Sequence, residues 1–210
     1  MIATHGYLSL TPPLTLAVRE GRKTQTMRPM TPQVPDVSRW QHWTDRDWYT
    51  WSPLGMGVVR APYAPDDVLW VREPAMVVGY TPRGTRVTVQ YDADGVTREV
   101  PWPERLRPVA LGRRIPNGCH REAARTFVRV LSVEPRRVQS ITEAEARAEG
   151  LDPVPVHGKW AGPREEGGHW SARKPFAELW DSLYRAKGLG WDADPWCWCV
   201  RFERVEVDCG

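Results

Sequence analysis

Apolar side chains recur at helical spacing in three parts of the chain. In the clearest case they occupy positions i, i+3, i+4, i+7 and i+8, which predicts an amphipathic helix ending near 187–188: Phe176, Leu179, Trp180, Leu183 and Tyr184. A second helix is predicted over 12–20, with two prolines in its first turn and a glycine after its end. A third is predicted over 142–149, because Thr142 and Glu145 form a capping box.

Strand patterns account for much of the remaining chain. β-branched and aromatic residues, partly in alternation, predict strands over 66–73, 85–95, 124–138 and 195–207. The polar and basic segment 21–29 fits a loop best. Residues 30–65 hold seven Pro or Gly residues among four tryptophans without a sustained period, and 152–172 is also rich in Pro and Gly. We predict long loops for both.

Composition is that of a globular protein. The chain has 210 residues, of which 41% are hydrophobic, so it can form a sizeable core, and we expect a single domain over 1–210. Lys and Arg exceed Asp and Glu by 29 to 26, and this net charge of +3 means that any basic site must be local. No apolar run approaches the roughly 20 residues of a membrane span, and the first residues lack an export signal. We therefore expect a cytoplasmic protein with no membrane partner.

The cysteines show no spacing typical of a disulfide framework, so we interpret all four as reduced thiols: Cys119, Cys197, Cys199 and Cys209. Cys197 and Cys199, with Cys119 and His120, are an alternative zinc site. Their spacing departs from the usual C-x₂₋₄-C pattern, which favours small buried thiols. We predict no metal and no cofactor.

Lysine is scarce, since only four of the 29 basic residues are Lys. Lys23 and Thr26 lie three positions apart, which places an amine within reach of a hydroxyl if the backbone turns, whereas a strand sends them to opposite faces. A partly buried ammonium can lose its proton near neutrality and a guanidinium cannot, so Lys23 is a candidate base for a Thr26 nucleophile. The alternative is a solvated basic loop with a turn-forming threonine.

Two carboxylates and several arginines are further candidates. Glu149 is a candidate general acid or base, and the alternative is an ordinary exposed helix carboxylate. Glu73 follows an apolar strand, and its alternative is an ion pair with Arg72 or a neighbouring arginine. Seven arginines are candidates for one basic cleft in which tryptophans stack on bases: Arg22, Arg28, Arg72, Arg113, Arg114, Arg121 and Arg125.

Several segments together resemble the ASCH superfamily of PUA-like proteins, in particular those of phages and prophages. The matching stretches are TPPLTLAVREGRKTQTMRP, DDVLWVREP, CHREAARTFVRVLSVEPRRVQSITEAEARAEGL and FAELWDSLYRAKGLGWDADPWCWCVRFERVE. GRKTQTMR is similar to the family signature GRKT-x-T-x-R. The resemblance implies an α+β fold, a small mixed β-barrel with flanking helices. Relative to minimal members, this chain carries added segments near 30–65, 76–118 and 152–172.

Some small bacterial ASCH proteins are N4-acetylcytidine amidohydrolases that use a Lys, a Thr and a Glu. Matched by position, these fall on Lys23, Thr26 and Glu149. The resemblance implies that Lys23 activates Thr26 for attack on the N4-acyl carbonyl and that Glu149 handles protons at the leaving amine. The expected substrate is a modified nucleoside or nucleobase, contacted by Arg22, Thr24, Arg28, Trp70, Arg72, Glu73 and Arg121. Other members bind RNA or modified bases without catalysis, so a non-catalytic RNA- or DNA-binding module of phage nucleic-acid metabolism is the alternative.

Overall fold

The computed structural model describes residues 6–34, 37, 39–52, 55–81, 85–155 and 170–207. Within them strands outnumber helices, which confirms the α+β class. The strands are β1 (Gly6–Ser9), β2 (Gln25–Pro29), β3 (Arg39–His42), β4 (Asp47–Ser52), β5 (Gly55–Arg60), β6 (Val68–Arg72), β7 (Ala75–Tyr80), β8 (Arg86–Tyr91), β9 (Thr97–Pro101), β10 (Phe127–Arg137), β11 (Val154–Pro155), β12 (Trp170–Ser171) and β13 (Trp196–Val205). The α-helices are α1 (Pro12–Arg19), α2 (Glu143–Ala148) and α3 (Arg173–Tyr184). In these residues, no helix combines the length and the apolar character that a membrane crossing requires.

Residue contacts divide the chain into two compact units. Unit 1 comprises Met1–Gly21, Asp67–Arg129 and Arg204–Gly210, and unit 2 comprises Arg22–Asp66 and Val130–Glu203. The predicted single domain over the whole chain stays a prediction.

Unit 1 contains α1 and strands of two sheets. β1 pairs in parallel with β6, and β6 pairs antiparallel with the first residues of β10, so that Trp70 lies opposite Tyr7 on one side and Phe127 on the other. β7, β8 and β9 form an antiparallel meander. Its buried face provides much of the unit's core, including Val77, Val87 and Val89. The strands predicted over 66–73 and 85–95 are confirmed as β6 and β8.

Unit 2 is built around β13, which has β2 on one side and β10 on the other. β2 and β13 are antiparallel, with Thr26 opposite Val200. Apolar residues of α2 and α3 pack against these strands in one core that includes Met27, Ala146 and Trp180. The predicted helices and the closing strand are confirmed.

The loop predicted over 21–29 is wrong from Gln25 onward, where the chain forms β2. Gln25 and Thr26 are polar but buried, so the hydrophobic pattern carried no strand signal. The strand is stabilised by hydrogen bonds to β13, a partner that lies far along the chain and that local sequence cannot reveal.

The loop predicted over 30–65 is also wrong, because β3, β4 and β5 form a three-stranded antiparallel sheet there. Both faces of β4 carry aromatic rings, with Trp48 on one face and Tyr49 and Trp51 on the other. Such a strand lacks the apolar and polar alternation that marks a half-buried strand. Most of the loop predicted over 152–172 lies outside the described residues, apart from the short strands β11 and β12.

None of the sheets formed by the described residues closes into the small barrel that the resemblance implies. β1 and β2 are the two end strands of the five-stranded sheet. β1 pairs only with β6 and β2 only with β13, so each of these two strands has one edge without a strand partner among these residues. Closure requires every edge to be paired. The segment 76–118, expected as an addition, contributes the β7–β9 meander.

Candidate active site

The segment that leads into β2 lies against the end of α2. Lys23 and Glu149 form an isolated antiparallel bridge. The N–H of Thr24 donates to the carbonyl of Ala148 at 2.9 Å, and the carbonyl of Thr24 accepts from the N–H of Phe202 at 2.9 Å. Backbone hydrogen bonds therefore help to hold Lys23 beside Glu149.

The two ends of α2 fix the position of Glu149. A capping box at Thr142 begins the helix, and Gly150, with φ +84°, follows Glu149 at its end. One carboxylate oxygen of Glu149 accepts from the Lys23 amine at 2.7 Å, and the other accepts from the N–H of Met27 at 2.6 Å. Glu149 is only 4% exposed, so the alternative of an ordinary exposed helix carboxylate is wrong.

Lys23 is buried, with 2% of its surface exposed. Besides the Glu149 carboxylate, its amine donates to the carbonyl of Glu149 at 2.9 Å and to that of Gln25 at 2.8 Å. Desolvation lowers the pKa of Lys23, the Glu149 carboxylate opposes this effect, and the positive charge of Arg28 adds to it. The alternative of a solvated basic side chain is therefore wrong for Lys23.

Thr26 lies between two backbone groups that the ion pair holds. The carbonyl of Gln25, just before it, accepts from Lys23, and the N–H of Met27, just after it, donates to Glu149. Thr26 itself is 3% exposed. The structure thus brings the amine and the carboxylate to the peptide groups on either side of the candidate nucleophile.

Arg28 shares a face of β2 with Thr26, because alternate side chains of a strand point the same way. The register places Val200 and Trp198 of β13 opposite these two residues. The Arg28 guanidinium donates to the hydroxyl of Tyr184 at 3.5 Å. A polar and aromatic environment therefore continues along the strand from Thr26.

Tryptophans from the 30–65 segment pack next to this face, a feature that the sequence interpretation missed. The ring centroid of Trp198 lies 6.1 Å from that of Trp40 and 6.3 Å from that of Trp48. Trp40 also contacts Trp196 edge-on at 5.1 Å. The only sequence signal was the density of tryptophan in both segments, since the pairing of distant rings leaves no local pattern.

Gln25 is a second residue that the sequence interpretation missed. It is 2% exposed, and its side-chain Nε2 is buried with no hydrogen-bond partner among the described residues. A buried amide without a partner costs free energy.

Two of the predicted binding residues in unit 2, Arg22 and Thr24, are exposed. The Arg22 guanidinium donates to the carbonyl of Gly150 at 3.4 Å.

Four predicted binding residues belong to unit 1: Trp70, Arg72, Glu73 and Arg121. The Trp70 ring lies 5.4 Å from that of Tyr7, and the Arg72 guanidinium lies 4.2 Å from the same Tyr7 ring. Arg121 begins a short 3₁₀ turn. The seven arginines predicted for one cleft divide between the units, with Arg22 and Arg28 in unit 2 and the others in unit 1.

Glu73 is fully buried and paired. Its two carboxylate oxygens accept from Arg125, each at 2.9 Å. Arg125 also donates to both oxygens of Asp94, and these hydrogen bonds hold the pKa of Asp94 well below its usual range. The ion-pair alternative for Glu73 is confirmed, with Arg125 as its partner.

The three described cysteines are buried free thiols, as predicted: Cys119, Cys197 and Cys199. Burial raises the pKa of Cys119 and of Cys199 to about 12. Cys209 lies outside the described residues. Within the described part of the chain, no three His, Cys, Asp or Glu side chains are grouped so as to hold a metal ion.

Comparison with known proteins adds little to this geometry. No family model matches the chain, and no curated protein matches it. One solved structure that resembles it is the protein EF3133 from Enterococcus faecalis V583, of the family model DUF984. The two share 12% identity over 98% of this chain and 82% of that one, with a TM-score of 0.39. A TM-score this low does not establish a shared fold.

Proposed function

We propose that this chain is an ASCH-type protein that hydrolyses the amide bond of N4-acylated cytosine nucleosides or a related modified base. The observation that carries the proposal is the buried Lys23–Glu149 pair, joined at 2.7 Å and hydrogen-bonded to the peptide groups on both sides of Thr26. These are the three residues on which the motif resemblance places the catalytic Lys, Thr and Glu.

The reaction assigns one role to each residue. The neutral form of the Lys23 amine takes the proton of the Thr26 hydroxyl as the oxygen bonds to the acyl carbon. The carbon–N4 bond then breaks, and the leaving N4 takes the proton that Lys23 removed, passed on through Glu149, to become the free amine of cytidine. Water attacks the resulting acyl-threonine ester, which releases the acid and restores Thr26.

Burial of the lysine supports this chemistry. Because desolvation lowers the pKa of Lys23, a larger fraction of its amine is neutral at a given pH than for an exposed lysine. An arginine cannot serve in this way, since its guanidinium stays protonated.

A release assay tests the proposal. Purified protein is incubated with N4-acetylcytidine and with a small series of other acyl groups, and cytidine is separated and quantified. We expect cytidine to appear with the wild type and not with Thr26→Val. The absence of cytidine from every member of the series contradicts the proposal.

One observation favours a second function, non-catalytic binding of RNA, DNA or a modified base. All three N–H groups of the Lys23 ammonium are engaged, by two carbonyls and the Glu149 carboxylate. A saturated ion pair of this kind also serves to fix the start of β2. Binding of N4-acetylcytidine without cytidine release supports this function over hydrolysis.

A further inference from the structure

The β3–β4–β5 sheet of unit 2 has two unlike faces. Its inner face carries Trp40 and Trp48, whose rings contact Trp198 of β13. We call the opposite side the outer aromatic face. By the strand register and the Trp43–Tyr49 ring contact it includes Arg39, Trp43, Asp47, Tyr49, Trp51, Met56, Val58 and Arg60. Trp43 is 57% exposed, Met56 62% and Val58 54%. Large apolar side chains grouped on one exposed face are typical of a binding surface.

The rings of the outer aromatic face form a continuous row. Trp43 stacks on Tyr49 with centroids 4.7 Å apart and planes 22° from parallel. Tyr49 meets Trp51 edge-on at 5.9 Å, and the Arg39 guanidinium lies 5.3 Å from the Trp51 ring. The row therefore offers flat π surfaces and a cation side by side, which is the chemistry that stacks on successive nucleobases.

Charge on this face favours an anionic polymer as the occupant. Arg39 and Arg60 are exposed at opposite edges of the sheet, and Asp47, the acidic residue of the same face, lies opposite Arg60 in the register. Because Arg60 faces Asp47, the excess positive charge of the face comes from Arg39, which can contact the phosphates of a nucleic-acid strand that stacks on the rings. A purely apolar partner gains nothing from those arginines.

We propose that the outer aromatic face binds single-stranded RNA, which makes the polymer, in addition to the free nucleoside, a substrate. The choice of RNA rests on the proposed function, whose substrate is a ribonucleoside.

The sheet also connects this face to the candidate site within unit 2. Trp198, which contacts the inner face, lies opposite Arg28 in the register, and Arg28 shares a face of β2 with Thr26. RNA held on the outer aromatic face is thereby bound to unit 2, the unit that also carries the Lys23–Glu149 pair.

Fluorescence anisotropy with a short labelled RNA of cytidine and uridine tests the inference. We expect Trp43→Ala to weaken binding by about tenfold and Trp43→Ala with Trp51→Ala to weaken it further, since each stacked base contributes about 1–3 kcal/mol. Trp170→Ala is the matched control, because Trp170 is in unit 2 and is also 57% exposed but lies on β12. It should change the affinity by less than about twofold.

Four results overturn the inference. Three of them are no RNA binding by the wild type, equal losses in Trp43→Ala and Trp170→Ala, and equal affinity for single-stranded DNA of the same sequence. A dimer that Trp43→Ala dissociates also overturns it, because a second copy then covers the face. Thermal unfolding of each variant verifies that the chain still folds.

Failure of this inference is separable from failure of the proposed function. If the face binds RNA but Thr26 is not a nucleophile, the Trp43→Ala effect on affinity persists while no protein releases cytidine. If hydrolysis is real but the face is unused, every tryptophan variant keeps wild-type turnover of free N4-acetylcytidine and wild-type RNA affinity.

Discussion

At Lys23, two consequences of burial act in opposite directions. Loss of hydration favours the neutral amine, whereas Glu149 at 2.7 Å favours the ammonium. Removing either partner leaves the other charge buried without compensation, which destabilises the fold strongly. Variants that keep the charge therefore separate chemistry from folding better than a substitution by alanine does.

Lys23→Arg keeps the positive charge and removes the amine that titrates. We expect kcat/KM for N4-acetylcytidine to fall by about 10²–10⁴-fold, the usual contribution of general acid–base catalysis. Cytidine release measures the loss. Lys174→Arg is the matched control, because Lys174 is a partly exposed lysine paired with Glu178 on α3, and the activity of this variant should stay at the wild-type level.

Wild-type activity in folded Lys23→Arg contradicts a role for Lys23 as the base. The thermal midpoint of the variant shows whether the larger guanidinium fits the buried site. RNA binding, which depends on a different surface, should persist in the variant and reports independently that unit 2 is intact.

The pH dependence of hydrolysis follows from the same residue. The base must be neutral, so kcat/KM should rise with pH through the pKa of Lys23. Because burial lowers that pKa, the rise should come below the ordinary value of 10.5. Initial rates over a pH series measure it. A rate that falls with rising pH across this range, or an identical limb in Lys23→Arg, excludes the assignment.

Among the elements, α2 has the clearest effect on the site. Thr142 accepts from the N–H of Glu145, while the Glu145 carboxylate accepts from the backbone N–H of Thr142. The helix is only six residues long. Its fixed start therefore determines where its last turn, and with it Glu149, lies.

Thr142→Ala removes the cap from α2. We expect the free energy of unfolding to fall by about 1 kcal/mol, measured by urea denaturation, and kcat/KM to fall with it because Glu149 is held less firmly. Thr11→Ala is the matched control, since Thr11 occupies the N-cap position of α1 but its side chain makes no capping hydrogen bond. Similar losses in both variants show that the cap is not the cause.

β2 shows why an element can be important and still escape detection. Its polar residues Gln25 and Thr26 are buried by β13 and by the end of α2, so burial does not follow hydrophobicity there. The prediction for residues 30–65 was wrong for the opposite reason. Because both faces of β4 carry aromatic residues, the strand shows no alternation of apolar and polar side chains.

For the molecule as a whole, the small net charge of +3 predicts that salt has only a modest effect on substrate and RNA binding. A neutral acyl-cytidine is held by stacking and hydrogen bonds, so its KM should change little between low and moderate salt. RNA binding should weaken modestly, with a slope of about 0.7 per phosphate contacted by arginine. Parallel measurements of KM and RNA affinity in the same buffers check this. A KM that rises steeply with salt contradicts it.

The sequence by itself determined the α+β class, the three α-helices of the described residues and several strands, because their signals are local: the apolar spacing before Lys187, the capping box at Thr142, and β-branched runs such as 66–73. The motif also singled out Lys23, Thr26 and Glu149. It did so by resemblance, without any sign that they meet.

Only the tertiary structure decided which of these side chains are buried and paired. Lys23 and Glu149 lie far apart in the chain, and their contact depends on backbone hydrogen bonds that join the start of β2 to the end of α2. The same holds for Glu73, whose partner proved to be Arg125. A carboxylate's role depends on its solvation and its neighbours, and both are properties of the folded chain that local sequence does not encode.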